Sequence, residues 1–215
     1  MTQLEIAVRG DTSPQMLQVA KTESIDVEIL REKIASGKVV IPANVRHIGL
    51  KPCGVGEGLS TKVNANIGTS SDYGDVTTEL VKLKTALDAG ADTVMDLSTG
   101  GDISAIRKAI VAASPSAIGT VPLYQAGIKA IQDHGAIVKM TLDDFFKAIE
   151  DNARDGVDFV TVHCGVTQGA IARLKQQGRV TDVVSRGGAF TLGWMLHNDK
   201  ENPLYEQYDR LLEIA

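Results

Sequence analysis

The stretch Gly90-Ala91-Asp92-Thr93-Val94-Met95-Asp96-Leu97-Ser98-Thr99-Gly100-Gly101-Asp102 decides the fold. A short apolar run from Thr93 to Leu97 breaks into polar residues and glycines just before a new helical pattern. It reads as strand, loop, helix: Gly100-Gly101 supply turn capacity, and Asp102 is placed to accept from the free N–H groups of a helix beginning near Ile103. The unit recurs along the chain. The strand candidates are Lys62–Ile67, Thr93–Leu97, Ile118–Leu123, Phe159–His163 and Val183–Ser185.

Helical stripes follow the strands. Val76, Leu80, Leu83 and Leu87 share one face, as do Ile103, Ile106, Ile110 and Ala113. Thr141 with Asp144 offers an N-terminal cap ahead of Phe145, Ile149 and Ala153. Strands alternating with helices imply parallel pairing through right-handed crossovers. The fold class is therefore α/β, and the choice lies between a (β/α)8 barrel and an open doubly wound sheet. Asn66, Asp96 with Ser98, Tyr124, His163, and Ser185 with Arg186 fall at or just beyond the carboxyl ends of successive strands. Barrel enzymes keep their chemistry at that rim, whereas an open sheet gathers it at one switch point, so the barrel is preferred.

Residues 1–60 read as a separate N-terminal segment before a partial barrel domain over 61–215. A polar start with Arg9-Gly10-Asp11 precedes an amphipathic helix from Ile25 to Ala35, stopped by Gly37. Val39 to Asn44 is a short edge strand, because Pro42 has no N–H for a central ladder. The loop Lys51–Gly58 resembles a dinucleotide fingerprint only superficially, since no strong strand precedes it and no helix follows. Arg9-Gly10-Asp11 alone does not support an adhesion role.

Composition narrows the classes. A net charge of -5 without a lysine or arginine cluster excludes nucleic acid or an anionic membrane as a main partner. Cys53 and Cys164 are the only cysteines and lie far apart, so the chain builds no cysteine metal site, and two free thiols in a reducing cytoplasm are expected. No basic stretch leads into an apolar segment at the N-terminus, and no run is long enough to span a bilayer. His47, His134 and His197 sit in polar surroundings without a second ligand at helical spacing, so no intrinsic metal is expected.

The rim residues make a pocket with an amide, a carboxylate, a phenol, an imidazole, a hydroxyl and a guanidinium. Such a set suits a small polar ligand, and Arg186 between Ser185 and Gly187-Gly188 suits an oxyanion or phosphate. Met95 is either core packing or a soft wall against a flat ring. Trp194 reads as helix packing, and Tyr205 with Tyr208 as a partly exposed face.

Taken together, Asn64–Gly68, Gly90–Gly101, Gly119–Ala126, Thr161–Val166 and Val184–Gly188 closely resemble the phosphomethylpyrimidine synthase family and its paralogue 5-hydroxybenzimidazole synthase. Ile41–Asn44 and Lys200–Tyr205 extend the resemblance over most of the chain. It implies a radical S-adenosylmethionine enzyme of the carbon–carbon lyase or synthase type, acting on 5-aminoimidazole ribotide in a (β/α)8 barrel. The product is either the hydroxymethylpyrimidine phosphate of thiamine or the benzimidazole of anaerobic cobalamin synthesis. It further implies a cytoplasmic homodimer with a [4Fe–4S] cluster, S-adenosylmethionine and a divalent metal. By the same resemblance, Asn66, Met95, Tyr124, His163, Ser185, Arg186 and Gly187 contact the ribotide.

Members of that family continue into an Asp-Gly-Leu-Arg strand, two metal-ligand histidines and a C-x-x-C-x-x-x-x-C segment. Those motifs are not within these residues, which correspond to about the first five of eight barrel strands. The 215 residues by themselves are accordingly expected to be inactive. A non-catalytic half-barrel that binds ligand or a partner chain is the alternative of another class. An aldolase or epimerase barrel fits less well, because Lys62 begins its strand instead of finishing it.

Overall fold

The computed structural model describes residues Met1–Ala215. The chain opens with α1 (Gln3–Val8), α2 (Pro14–Glu23) and α3 (Val27–Ala35), then β1 (Val39–Val40) and β2 (Val55–Gly56), which pair antiparallel. The main body follows as β3 (Asn64–Ile67), α4 (Val76–Asp88), β4 (Thr93–Asp96), α5 (Ile103–Ala113), β5 (Ala117–Thr120), α6 (Pro122–His134), α7 (Leu142–Arg154) and β6 (Phe159–Val160). After it come α8 (Gln168–Gln177), α9 (Arg186–Asn198), α10 (Pro203–Glu206) and α11 (Tyr208–Ile214). No helix is long and apolar enough to cross a membrane.

The four strands β3 to β6 form one parallel sheet in sequential order. This confirms the parallel α/β class; the sheet is open, and the expected extent is corrected, since four strands form, not five. Val183–Ser185 is irregular chain. Asp182 just before it has left-handed backbone (φ 43), Val184 is 73 % exposed, and Ser185 is committed to capping α9. The strands that form are also shorter than expected. β5 stops at Thr120 because Pro122 occupies the first turn of α6, where its missing N–H is harmless. β6 then loses its ladder partner after Val160.

Gly90–Asp102 runs through strand, loop and helix start in the expected order. Asp102 caps α5, its carboxylate accepting from Ala105 N–H at 3.0 Å, and Gly101 takes a φ of 73 in the turn. Side chains alternate across the sheet with period two. Ile67, Val94 and Ile118 point toward α4 and α5 and meet Leu83, Ile106 and Ile110 in one apolar cluster. Asn66, Met95, Gly119 and Phe159 lie side by side in one register row on the other face, the Phe159 ring covering Gly119. A larger cluster joins α6, α7, α9 and α11 through Phe145, Phe146, Ala130, Met195 and Leu211. The cap at Thr141 is a full capping box with Asp144.

The same alternation corrects the reading of Asp96 and Ser98 as rim groups. Asp96 shares its register row with Thr120, and both belong to a buried polar layer between sheet and helices. Burial raises the pKa of Asp96 against the two bonds it accepts from Ser98. Arg107, 2 % exposed, donates to Asp155 and to Gln125 Oε1 (2.7 Å), while Asn152 joins Gln125 to Thr120. These groups surround a cavity of about 10 Å³, room for a single water.

Residues 1–60 hold two helices that the sequence reading passed over. Thr2 and Glu5 make a capping box on α1, and Ser13 caps α2 with Pro14 in its first turn. Ala7, Met16, Val19, Leu30, Ile34 and Val39 pack these helices into their own apolar cluster. His47, expected in polar surroundings, is buried instead. Its Nδ1 lies 2.7 Å from Asp158 Oδ2 and its Nε2 2.8 Å from the Ser114 carbonyl. Asn44 adds two donations, to the carbonyls of Ala153 and Val157, both at 2.8 Å. This segment is thereby tied to the amino-terminal ends of β5 and β6. Asn44→Ala leaves the Val157 carbonyl without its donor and the Ala153 carbonyl with only its turn bonds, and is expected to lower unfolding free energy by about 1–3 kcal/mol in urea titrations.

Candidate active site

The carboxyl ends of the strands lead to the side chains singled out from sequence. The loop Thr161–Thr167 after β6 carries His163, and the irregular run before α9 carries Ser185. Ser185 is the N-cap of α9, its hydroxyl oxygen accepting from Gly188 N–H at 3.2 Å. The same oxygen lies 2.8 Å from His163 Nε2. The Ser185 hydroxyl gives its proton to His163 Nε2 or accepts one from it according to the imidazole tautomer. Burial lowers the pKa of His163 below its ordinary value, which keeps the imidazole neutral near pH 7.

His163 lies flat on the first turn of α9. A Cβ placed on Gly187 would fall 2.2 Å from Cε1 of the ring and 2.7 Å from Nδ1, so only glycine admits this approach. His163 Nδ1 is buried there without a hydrogen-bond partner. The first-turn N–H groups of Arg186 and Gly187 have no intrahelical acceptor, and the N-terminal end of the helix is electropositive. Arg186 adds a formal charge to that end. Its guanidinium carbon sits 5.1 Å from the ring centroid of Tyr124.

Tyr124 belongs to the first turn of α6, not to the strand end where it was expected. The physical reason is again Pro122, which starts the helix two residues earlier. Tyr124 meets Phe190 edge-on at 6.2 Å, and Phe190 also packs over Gly127 of α6. These contacts bring the starts of α6 and α9 together. Phe190 went unread because one apolar residue four beyond Arg186 looks like ordinary helix packing.

Tyr124, His163, Ser185, Arg186 and Gly187 thus form one contiguous group. Asn66 and Met95 are paired neighbours on β3 and β4, on the face away from α4 and α5. Met95 packs against the cluster that Tyr124 also touches. Asn66 is exposed and its Oδ1 accepts from Asn64 at 2.9 Å; no hydrogen bond joins it to the His163 group. The arrangement offers a cation, a helix N-terminus, a neutral imidazole and aromatic surface, which together suit a phosphorylated ring.

Both cysteines are free, and burial pushes both thiols upward in pKa. Cys53 belongs to the segment before β2 and Cys164 to the loop after β6. No group of three or more His, Cys, Asp or Glu side chains is placed to hold a metal ion.

Comparison with known proteins agrees with the sequence reading. The phosphomethylpyrimidine synthase of Moorella thermoacetica is 60 % identical over all 215 residues, that of Dehalococcoides mccartyi 58 %, and that of a Thermoanaerobacter strain 55 %. Each alignment covers the whole of this chain and 50 % of the relative, so the chain spans about half the length of the curated relatives it matches. A family model described as the Radical SAM ThiC family matches residues 2–215. This chain belongs to the Radical SAM ThiC family.

Proposed function

We propose that these residues form the ribotide-binding part of a phosphomethylpyrimidine synthase, which rearranges 5-aminoimidazole ribotide to the pyrimidine of thiamine. The observation that carries the reading is the seating of His163 on the Arg186-bearing start of α9, with Ser185 between them. Arg186 and the first-turn N–H groups bind the phosphate. Neutral His163 and Asn66 hydrogen-bond the polar edge of the ribose or aminoimidazole, and Met95 and Tyr124 wall the flat ring. The names of the relatives favour the pyrimidine product over the benzimidazole one.

Membership of a radical SAM family implies a [4Fe–4S] cluster and S-adenosylmethionine. The residues present do not fit the cluster: two cysteines in separate loops, each with a thiol held protonated by burial, cannot supply its ligand set. Cluster and divalent-metal ligands therefore come from outside these residues in our reading. The open sheet is continued there into a (β/α)8 barrel within a cytoplasmic homodimer, and the 215 residues alone bind without catalysing.

Arg186→Ala in the full-length protein tests the reading. The loss of hydrogen bonds to a charged group corresponds to roughly tenfold to hundredfold weaker ribotide binding by calorimetry. Unchanged affinity would remove Arg186 from the site.

A further inference from the structure

The run Lys200–Tyr205 has no role in the site as described, yet its side chains are bonded into the loop that carries His163. Asn202 is fully buried. Its Nδ2 donates to the His163 carbonyl at 2.7 Å and to the Val166 carbonyl at 3.0 Å, with the Cys164 carbonyl at 3.5 Å. Its Oδ1 accepts from Leu204 N–H at 3.0 Å and so caps α10. Next to it, both oxygens of Glu201 accept from Gln168 N–H at 3.1 Å, and Gln168 Nε2 donates to the Lys200 carbonyl at 3.0 Å.

We infer that Asn202 is a positioning residue: its amide fixes the main chain at His163, and so aims the imidazole at Ser185 and the start of α9. An amide has two N–H donors, and here each faces a loop carbonyl. Val162, Cys164 and Val166 pack the Thr161–Thr167 loop against the largest apolar cluster, but the His163 and Val166 carbonyls are held by Asn202. Its strand pairing ends when Thr161 N–H donates to Thr120, and His163 touches the rest of the site only through Ser185 and Gly187. Without Asn202, the His163 main chain loses its one long-range anchor. The ring, resting on a glycine with its Nδ1 unpartnered, is then kept in place by the Ser185 bond alone.

Two substitutions separate this role from helix capping. Aspartate and serine cap a helix about as well as asparagine, but neither replaces the two donations to the loop. Asn202→Asp and Asn202→Ser are therefore examined in the full-length protein by long-range proton–nitrogen spectra of the histidine rings, with His163→Gln used to assign the signal. The expected result is a displaced His163 signal whose pKa returns upward toward the ordinary histidine value, as the ring leaves its buried place. An unchanged His163 titration in either folded variant overturns the inference.

The unsubstituted protein supplies an arm that needs no variant to fold. The Asn202 side-chain amide protons are expected to resist exchange with deuterated solvent, and exchange at solvent rates overturns the inference as well. For its effect on ligand the proposal rests on the ribotide reading, and ribotide affinity is expected to fall about tenfold, as for one hydrogen bond lost. A displaced ring with unchanged affinity upholds Asn202 as a positioning residue and removes His163 from ribotide binding.

Discussion

Gly187→Ala is expected to weaken ribotide binding about a hundredfold while leaving the protein folded. In a helix, alanine is ordinarily about 1 kcal/mol more favourable than glycine, so helix propensity alone predicts a small gain in stability. The new methyl would stand 2.2 Å from Cε1 and 2.8 Å from Nε2 of His163. That overlap is relieved most easily by the half-exposed imidazole swinging away, since moving the backbone of α9 would disturb the buried Thr191, Trp194 and Met195. The ring then loses its bond to Ser185, and the methyl occupies the start of the helix. Two polar contacts to a charged ligand amount to about 3 kcal/mol, hence the hundredfold figure.

Gly188→Ala is the matched control. A Cβ there meets Val183 Cγ1 at 3.1 Å and lies 3.5 Å from Ser185 Cβ, a crowding that an irregular run accommodates by a small shift. Calorimetry with ribotide and thermal melts on both variants separate binding from folding. Retained affinity in Gly187→Ala would show that His163 does not need its seat on α9.

The largest effect on stability is expected at Arg107. This side chain is 2 % exposed and its partner Asp155 10 %, so their interaction is little screened by solvent. Arg107→Leu leaves the Asp155 carboxylate with only Ser104 and the exposed Lys108, and Gln125 Oε1 without its guanidinium donor. Breaking one side of a buried pair costs about 3–5 kcal/mol, measurable as a lowered urea midpoint. Replacing Asp155 as well should recover part of that loss, because no uncompensated charge then remains.

The pair also sets the direction of an acid effect. Burial works to raise the pKa of Asp155, but the bonds from Arg107, Lys108 and Ser104 outweigh it and hold the carboxyl below its ordinary value of 3.8. A lowered folded-state pKa contributes stability above the unfolded value and loses it as pH falls through the folded one. Wild-type protein therefore loses this contribution below about pH 4, and Arg107→Leu has less of it to lose. Asp96 has the opposite sign, since burial raises its pKa and acid relieves the cost of its charge.

Much of this was legible in the residues, and the failures share a cause. Thr93–Asp96 and Ala117–Thr120 show as apolar runs bounded by glycine or polar turns, and Asp102 and Thr141 occupy positions that local chemistry marks as helix caps. Val183-Val184-Ser185 has β-favouring residues but forms no ladder with the edge strand β6, so propensity misled there. Asp96 was misplaced by proximity to a strand end, although period two sends it to the opposite face from Met95. Thr2 with Glu5, and Ser13 with Pro14, were readable helix starts in a segment whose polarity drew attention away.

The site divides similarly. His163 lies on the loop that leaves the carboxyl end of β6, a place that the strand–helix alternation encodes, whereas Ser185 and Arg186 meet it from the irregular run and first turn of α9. His47 and Asn202 act on partners 111 and 39 residues away, respectively, and no local pattern announces such bonds.

The central claim is that one phosphorylated heterocycle occupies the space between Met95, Tyr124, His163 and the start of α9. A crystal structure of the full-length protein with 5-aminoimidazole ribotide tests it most directly. The account predicts the phosphate against Arg186 and the first-turn N–H groups of α9, with the ring between Met95 and Tyr124. Ribotide bound with its phosphate away from Arg186 and its ring out of reach of His163 would contradict it.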